Sequence, residues 1–421
     1  MAHLTRSFRH RNYQLFFGGQ LISLTGTWMQ QIAQSWLVYR LTKSSELLGL
    51  VSFAGQIPVF LFAALGGAAA DRGHRHRIIV WTQTLSMALA FALAALTLTG
   101  VVRVWHLFVL SALLGLVNAF DIPARQAFMV EMVGREDLMN AIALNSSMVN
   151  GARVVGPAVA GAVVAAVGEG WCFLLNGVSY IAVIAGLLMM RVPRADRAPS
   201  DRSALADIVE GFTYVGRTAP VRAVLILLGI VSVTAMPYTV LMPVFADEIL
   251  HGGAKTLGLL TGASGIGALI GALSLAARRG VKGLGRWIAV STFAFGISLI
   301  FFAWSSSLWI SIAILVLAGG SLMAQMAASN TLVQAMSPDA LRGRVMAVYS
   351  MMFMGMAPFG ALFAGSMAER IGAPMTVAIG GIVCLIAASV FALRLPALRG
   401  PARQLVVAQG LVGGDPPAGP A

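Results

Sequence analysis

Charge is what this chain has least of. Only 11% of its 421 residues are charged, against about 25% in a soluble domain. Acids are the scarcer sign, with 16 Asp and Glu against 29 Lys and Arg and a net charge of +13. Cysteine is nearly missing. Cys172 and Cys384 lie far apart, both inside apolar runs, which argues against a disulfide framework or a cysteine-ligated metal. The six histidines sit at termini or in loops, and His74-x-His76 reads as loop charge rather than as a metal site. No glycine-rich loop ending in Gly-Lys-Ser/Thr occurs, so nothing here cradles a nucleotide phosphate. With no constellation of nucleophile, base and acid either, the chain reads as a non-enzyme with no cofactor and no metal.

What fills the space is apolar. Hydrophobic residues make up 58% and the mean hydropathy is +0.83. The shortage of charge extends along the whole chain, which marks a polytopic membrane protein. A net charge of +13 in a soluble protein would suggest nucleic acid. In a membrane protein it reads as Lys and Arg gathered on cytoplasmic loops, so no nucleic-acid partner is expected. The 46 glycines suit close helix approach in lipid. Residues 1–11 are basic, but the apolar run after them is long and lacks a small-residue cleavage site, so they precede a retained first span.

A span needs about 20 apolar residues, and twelve runs qualify: 13–38, 46–70, 78–99, 104–127, 139–167, 171–190, 220–245, 256–277, 285–304, 308–330, 342–367 and 374–394. The charged break at 191–217 separates six from six. Inside it Leu205, Ile208, Val209 and Phe212 recur at helical spacing, as in an amphipathic helix on a membrane surface. The expected organisation is a six-helix bundle at 1–190, a linker at 191–219, a second bundle at 220–396 and a disordered cytoplasmic tail at 397–421. With the N-terminus in the cytoplasm, inner segments carry 23 of the 29 Lys and Arg and outer loops five. That asymmetry places both termini inside. The expected setting is a cytoplasmic membrane.

Six spans, a basic linker and six more suggest duplication. Asp137-Leu-Met-Asn-Ala opens span 5 and Asp339-Ala-Leu-Arg-Gly opens span 11. Each span then reaches a proline at similar depth, Gly156-Pro157 and Ala357-Pro358. The expected fold is all-α, with twelve transmembrane helices in two pseudo-symmetric six-helix bundles around a central cavity.

One stretch carries a signature. Gly67-x3-Asp71-Arg72-x-His74-Arg75-His76 joins spans 2 and 3. Asn118-Ala-Phe-Asp121-Ile-Pro123-Ala-Arg125 ends span 4, and Asn150-Gly-Ala-Arg153-x2-Gly156-Pro157 lies in span 5. Tyr238-x2-Leu-Met-Pro243 follows in span 7. In this layout the chain resembles the major facilitator superfamily, and within it the bacterial branch of the enterobactin exporter and the macrolide efflux proteins. The resemblance covers about residues 8–396.

The resemblance implies alternating access, and a latch of the outward-open state. In it Gly67 lets span 2 approach span 11 and Asp71 accepts hydrogen bonds at the start of span 11. Arg72 flanks the loop, and Arg75 pairs with Asp121 or Glu131. A carboxylate at a helix N-terminus is favoured by up to about 2 kcal/mol. Arg153 lies near mid-span, where a charge costs at least about 2.5 kcal/mol unless it faces a cavity or a partner. It reads either as a structural pair with Asp121 or an amide, or as a contact for an anionic cargo or a proton.

Gln30 and Gln34 share a face of span 1. Since the resemblance puts span 1 at the cavity, they are expected there, with Asn118, Tyr238, Gln325 and Asn330 as further substrate candidates. Pro237 and Pro243 suit a gating helix. Gly156, Pro157 and Pro358 suit packing and bending in spans 5 and 11. The function implied is proton-coupled efflux of a small amphipathic compound (drug, siderophore or metabolite) by a monomer in contact with lipid. An importer or a lysolipid or sugar carrier of the same fold, and a non-transporting membrane sensor, are the alternatives.

Overall fold

The computed structural model describes residues 6–191, 204–278 and 280–409, and every regular element among them is helical. The order is α1 (Arg11–Thr42), α2 (Ser45–Arg72), α3 (Arg75–Leu98), α4 (Val104–Val167), α5 (Glu169–Leu188), α6 (Ala204–Arg217) and α7 (Ala219–Thr234). There follow α8 (Met242–Val244), α9 (Gly253–Ala276), α10 (Leu284–Ala303), α11 (Leu308–Met336), α12 (Arg342–Ser350), α13 (Ala357–Ile371) and α14 (Ala373–Ala408). A short 3-10 turn, Arg6–Arg9, precedes α1.

Local chemistry sets the joints. α1 stops at Lys43, in the left-handed region at φ 51°, and Ser44 caps α2 by accepting from the Leu47 N–H. α4 runs through two expected spans without a loop, turning at Gly134, where φ is 72°. Only glycine adopts that angle without strain. The seventh span is broken, as its prolines lead one to expect. After α7 come a 3-10 turn (Met236–Thr239), α8 and a π-turn (Phe245–Ile249). A second π-turn (Met351–Gly355) splits α12 from α13 just before Pro358.

By length and composition, 10 helices among the described residues can cross a membrane. α4 contains two of the expected spans, and α1 falls outside the ten because its apolar run is diluted by glutamines.

Two compact units emerge. One comprises Met1–Asp201 with Val240–Gly265, the other Arg202–Thr239 with Ile266–Ala421. The chain passes from one unit to the other at 201/202, within the linker expected around 191–219, and again inside the broken seventh span and inside α9. In the first unit α2 packs on α4, with Gly66 and Gly115 at the crossing. A Cβ on Gly66 would overlap the Ala119 carbonyl. Close backbone approach of this kind holds helices together where lipid removes the hydrophobic drive. Tyr13, Phe16, Ile79 and Phe128 fill the end of this unit that carries the α2–α3 turn.

In the second unit Val221, Leu225, Leu228, Ile288, Val345, Val348 and Phe391 form the corresponding core. α14 continues to Ala408, so the tail expected to be disordered from 397 begins as helix. Residues 410–421 and most of the expected linker (192–203) lie outside the described residues.

Candidate functional site

The α2–α3 turn is built around Arg75. Its guanidinium donates to the Ala70 carbonyl at 3.0 Å, the Ala127 carbonyl at 2.9 Å, Glu131 at 3.2 Å and Asp71 at 3.3 Å. Arg75 and Glu131 are largely sealed, while the Asp71 side chain is 66% exposed and Arg72 is exposed too. Of the two carboxylates offered for Arg75, the structure uses Glu131. Asp121 lies elsewhere, buried at 2% exposure. It accepts from Thr82 Oγ1 at 2.7 Å and Gln83 Nε2 at 2.9 Å on α3, and pairs with Arg125 at 2.9 Å. Gly67 has nothing within 4 Å of a would-be Cβ. Within this unit the close-packing glycine is its neighbour Gly66.

The polar residues of α1 divide by rotation. Gln30 is buried and accepts from Asn176 Nδ2 of α5 at 2.7 Å. Gln34 donates to Ser111 Oγ of α4 at 2.5 Å. Both tie helices together, Gln30 buried and Gln34 half-buried. In the middle of α1 the exposed polar positions are Thr27 and Gln31. On the second arm of α4, Ser146 and Ser147 are exposed and Asn150 is half-buried. Arg153 is half-buried, and its guanidinium lies 5.1 Å from the centre of the Trp28 ring. Gly156 brings this arm onto α1, since a Cβ there would meet Trp28 Cβ at 2.5 Å. The neighbouring Pro157 interrupts the ladder of the same arm. Asn118 is half-buried on the first arm.

In the second unit Tyr238 is buried, its ring 5.9 Å from Phe295. Gln325 is buried and donates to Ser329 at 3.4 Å, while Asn330 accepts from Gln334 at 2.6 Å. Pro237 lies against Gly360, next but one to Pro358.

Sequence reasoning missed a cluster at the other end of the first unit. Arg40 grips Glu169 with two bonds of 2.7 and 3.2 Å, and Glu169 is buried. Lys43 pairs with Asp247 and stands 5.0 Å over the Tyr39 ring, and the Tyr39 hydroxyl donates to Glu248. A cavity of about 510 Å³ opens beside Trp36, Arg40, Glu169 and Lys255. The signal was present as two acids just after span 7 and two bases at the end of span 1. It read only as loop charge because nothing in the sequence pairs those segments.

Helical spans long enough for a membrane, broken by prolines and π-turns and lined with exposed amides and hydroxyls, describe a transporter of the major facilitator class. The fold agrees with solved members. The nucleoside transporter NupG superposes with a TM-score of 0.70 at 12% identity, covering 91% of this chain and 98% of that one. A bacterial homologue of the iron transporter ferroportin in the inward-facing state gives 0.67 at 17% identity, covering 91% and 98%.

Residues 5–406 match the family of transmembrane secretion effectors, and the chain belongs to it. Among its relatives, the staphyloferrin A transporter of Staphylococcus aureus is 26% identical over 89% of this chain and 94% of its own. The multidrug efflux pump Tap of Mycolicibacterium fortuitum is 26% identical over 87% and 91%. Macrolide efflux protein A of Streptococcus pyogenes is 24% identical over 58% and 62%. The protein is thus a multi-pass membrane transporter of the major facilitator superfamily, and not an enzyme.

Proposed function

We infer that this chain exports a small amphipathic compound across the bacterial cytoplasmic membrane in exchange for protons, with both termini inside. One observation carries the reading. Thr27, Gln31, Ser146 and Ser147 are exposed on membrane-spanning helices, and polar side chains on such helices suit a water-filled cavity better than lipid. They lie near Arg153 on its indole support and suit a cargo with apolar bulk and a few hydrogen-bonding groups. The relatives named for a siderophore, for drugs and for macrolides support outward movement of such cargo. Asp71, Arg72, Arg75 and Glu131 act as the inner latch in this reading. The Tyr39, Arg40 and Lys43 contacts close the outer end.

Everted vesicles loaded in the presence of a pH gradient test it. Accumulation of erythromycin, ethidium or a hydroxycarboxylate siderophore is expected, and it stops when the gradient is collapsed. No gradient-dependent movement across that panel would sink the reading.

A further inference from the structure

The segments that precede the first span of each repeat do the same thing with opposite charge. Before α1, the 3-10 turn lies on the start of the second arm of α4. Ser7 donates from its N–H and its hydroxyl to Asn140 Oδ1, at 3.0 and 2.8 Å. His10 Nε2 is 2.9 Å from one Asp137 oxygen and Arg6 Nε is 3.3 Å from the other. One turn on, the Tyr13 hydroxyl donates to the Ala141 carbonyl at 3.1 Å.

Before α7, the helix α6 lies along α12. Arg344 Nε donates to Asp207 at 2.8 Å and its Nη1 meets Glu210 at 2.7 Å. Gly211 backs onto the Arg344 carbonyl, which a Cβ would approach to 2.7 Å. The Tyr214 hydroxyl donates to the Met336 carbonyl at 3.0 Å. In the first repeat the held helix supplies the acid. In the second it supplies the base.

Both anchors are shielded, with Asp137 13% and Arg344 15% exposed. Their partners are more open, with Arg6 41%, His10 39%, Asp207 39% and Glu210 52% exposed, so each anchor is sheltered while its pair is only partly so. Each also sits on a helix with a weak point further along. In α4 this is Pro157, which removes a backbone hydrogen bond. In the second repeat it is the π-turn Met351–Gly355 followed by Pro358. A rod free at both ends tilts whole. A rod held at one end and weakened in the middle bends where its hydrogen bonds are missing.

The geometry points to Asp137 and Arg344 as matched positioning residues that pin one end of the fifth and eleventh spans, so that each moves by bending at its proline. This rests on the transporter reading for its purpose, while the pin itself is testable without cargo.

Backbone hydrogen exchange on the full chain in lipid nanodiscs reads it directly. In the unaltered protein, residues 345–350 are expected to be protected and 351–357 to exchange fastest within the span. Arg344→Glu raises exchange at 345–350 at least tenfold. Adding Asp207→Lys and Glu210→Lys returns it to within threefold. If the contact only adds stability, its loss lowers the melting temperature and leaves the ratio of the two regions unchanged, which overturns the proposal. So does a failure of the swapped charges to restore protection.

Should the reversal not express, Arg344→Gln is read by the same ratio. In the first repeat, Asp137→Asn is expected to release 138–146. Erythromycin efflux by the Arg344→Glu variant is expected to lose turnover at unchanged KM. Equal turnover in variant and parent counts against the pin, whereas no erythromycin movement by the parent counts only against the cargo.

Discussion

Arg75 and Glu131 meet at 3.2 Å across the turn that joins α2 to α3, and both side chains are largely covered by the surrounding backbone and side chains (13% and 16% exposed). Asp71, which shares the same guanidinium, stands 66% exposed. The two carboxylates thus do different work. Glu131→Gln strips charge from a sheltered pair and is expected to lower the melting temperature of the detergent-solubilised protein. Asp71→Asn removes an exposed pair of the kind that contributes about 0–1 kcal/mol, so it leaves the melt in place. Under the latch reading it slows efflux while cargo binding persists. Weakened binding at unchanged turnover would remove Asp71 from the latch.

The adjacent glycines separate in the same way. Gly66→Ala places a methyl against the Ala119 carbonyl and the backbone of Phe120, so α2 must shift off α4. Overpacking of this kind costs about 1–3 kcal/mol, and reduced yield with a lower melting temperature is expected. Gly67→Ala meets nothing within 4 Å, and its melt should match that of the parent. Equal destabilisation by both would contradict the α2–α4 crossing.

Rotation about a helix explains why some of this was legible in the sequence and some was not. The spans follow from hydropathy, which varies over whole turns. Partner choice varies residue by residue. Successive helical positions differ by about 100°, so Gln30 turns to Asn176 while Gln31 turns outward, and both read alike as amides in an apolar run. Glu131 lies ten residues past Asp121, about 15 Å along the helix. That distance decides which acid reaches Arg75, and it depends on where α3 begins. The Arg40–Glu169 and Tyr39–Glu248 contacts join segments more than a hundred residues apart, and no local pattern announces them. Of the second break, Pro358 was visible, but not the π-turn.

Gln30 and Gln31 give a test of that rotation. Gln30→Ala leaves the Asn176 amide without its acceptor in a buried site, a loss of about 1–3 kcal/mol, so stability should fall for every cargo. Gln31→Ala breaks no buried bond and should change KM among cargoes at constant melting temperature. If the two substitutions exchange these effects, the assignment of α1 faces is reversed.

Glu169 is buried and depends on Arg40. Arg40→Met leaves that carboxylate uncompensated, and breaking a buried pair costs about 3–5 kcal/mol. Arg40 is itself 49% exposed, so solvent screening reduces the loss to the lower end or below. Arg40→Met with Glu169→Gln removes both charges and should recover part of the stability. A double change as unstable as the sum of the single ones would mean that the two bonds between them carry no coupling.

Asp137 gives the pH dependence. The hydrogen bond from His10 holds its carboxyl below the usual carboxylate range, with Arg6 and Arg9 adding in the same direction and partial burial opposing them. A group whose folded pKa is depressed stabilises the fold above its unfolded pKa, about 3.9. It loses that contribution as pH falls through the lower folded value. The docking of the 3-10 turn should therefore be intact at neutral pH and weaken in strong acid, below pH ~4. Melting temperatures measured from neutral to acid pH on the parent and on Asp137→Asn check this. The gap between the two should close as the pH falls through and below the carboxylate range. A gap that instead widens as the pH falls below ~4 would give Asp137 a raised pKa, set by burial and not by the cations and hydrogen bond around it.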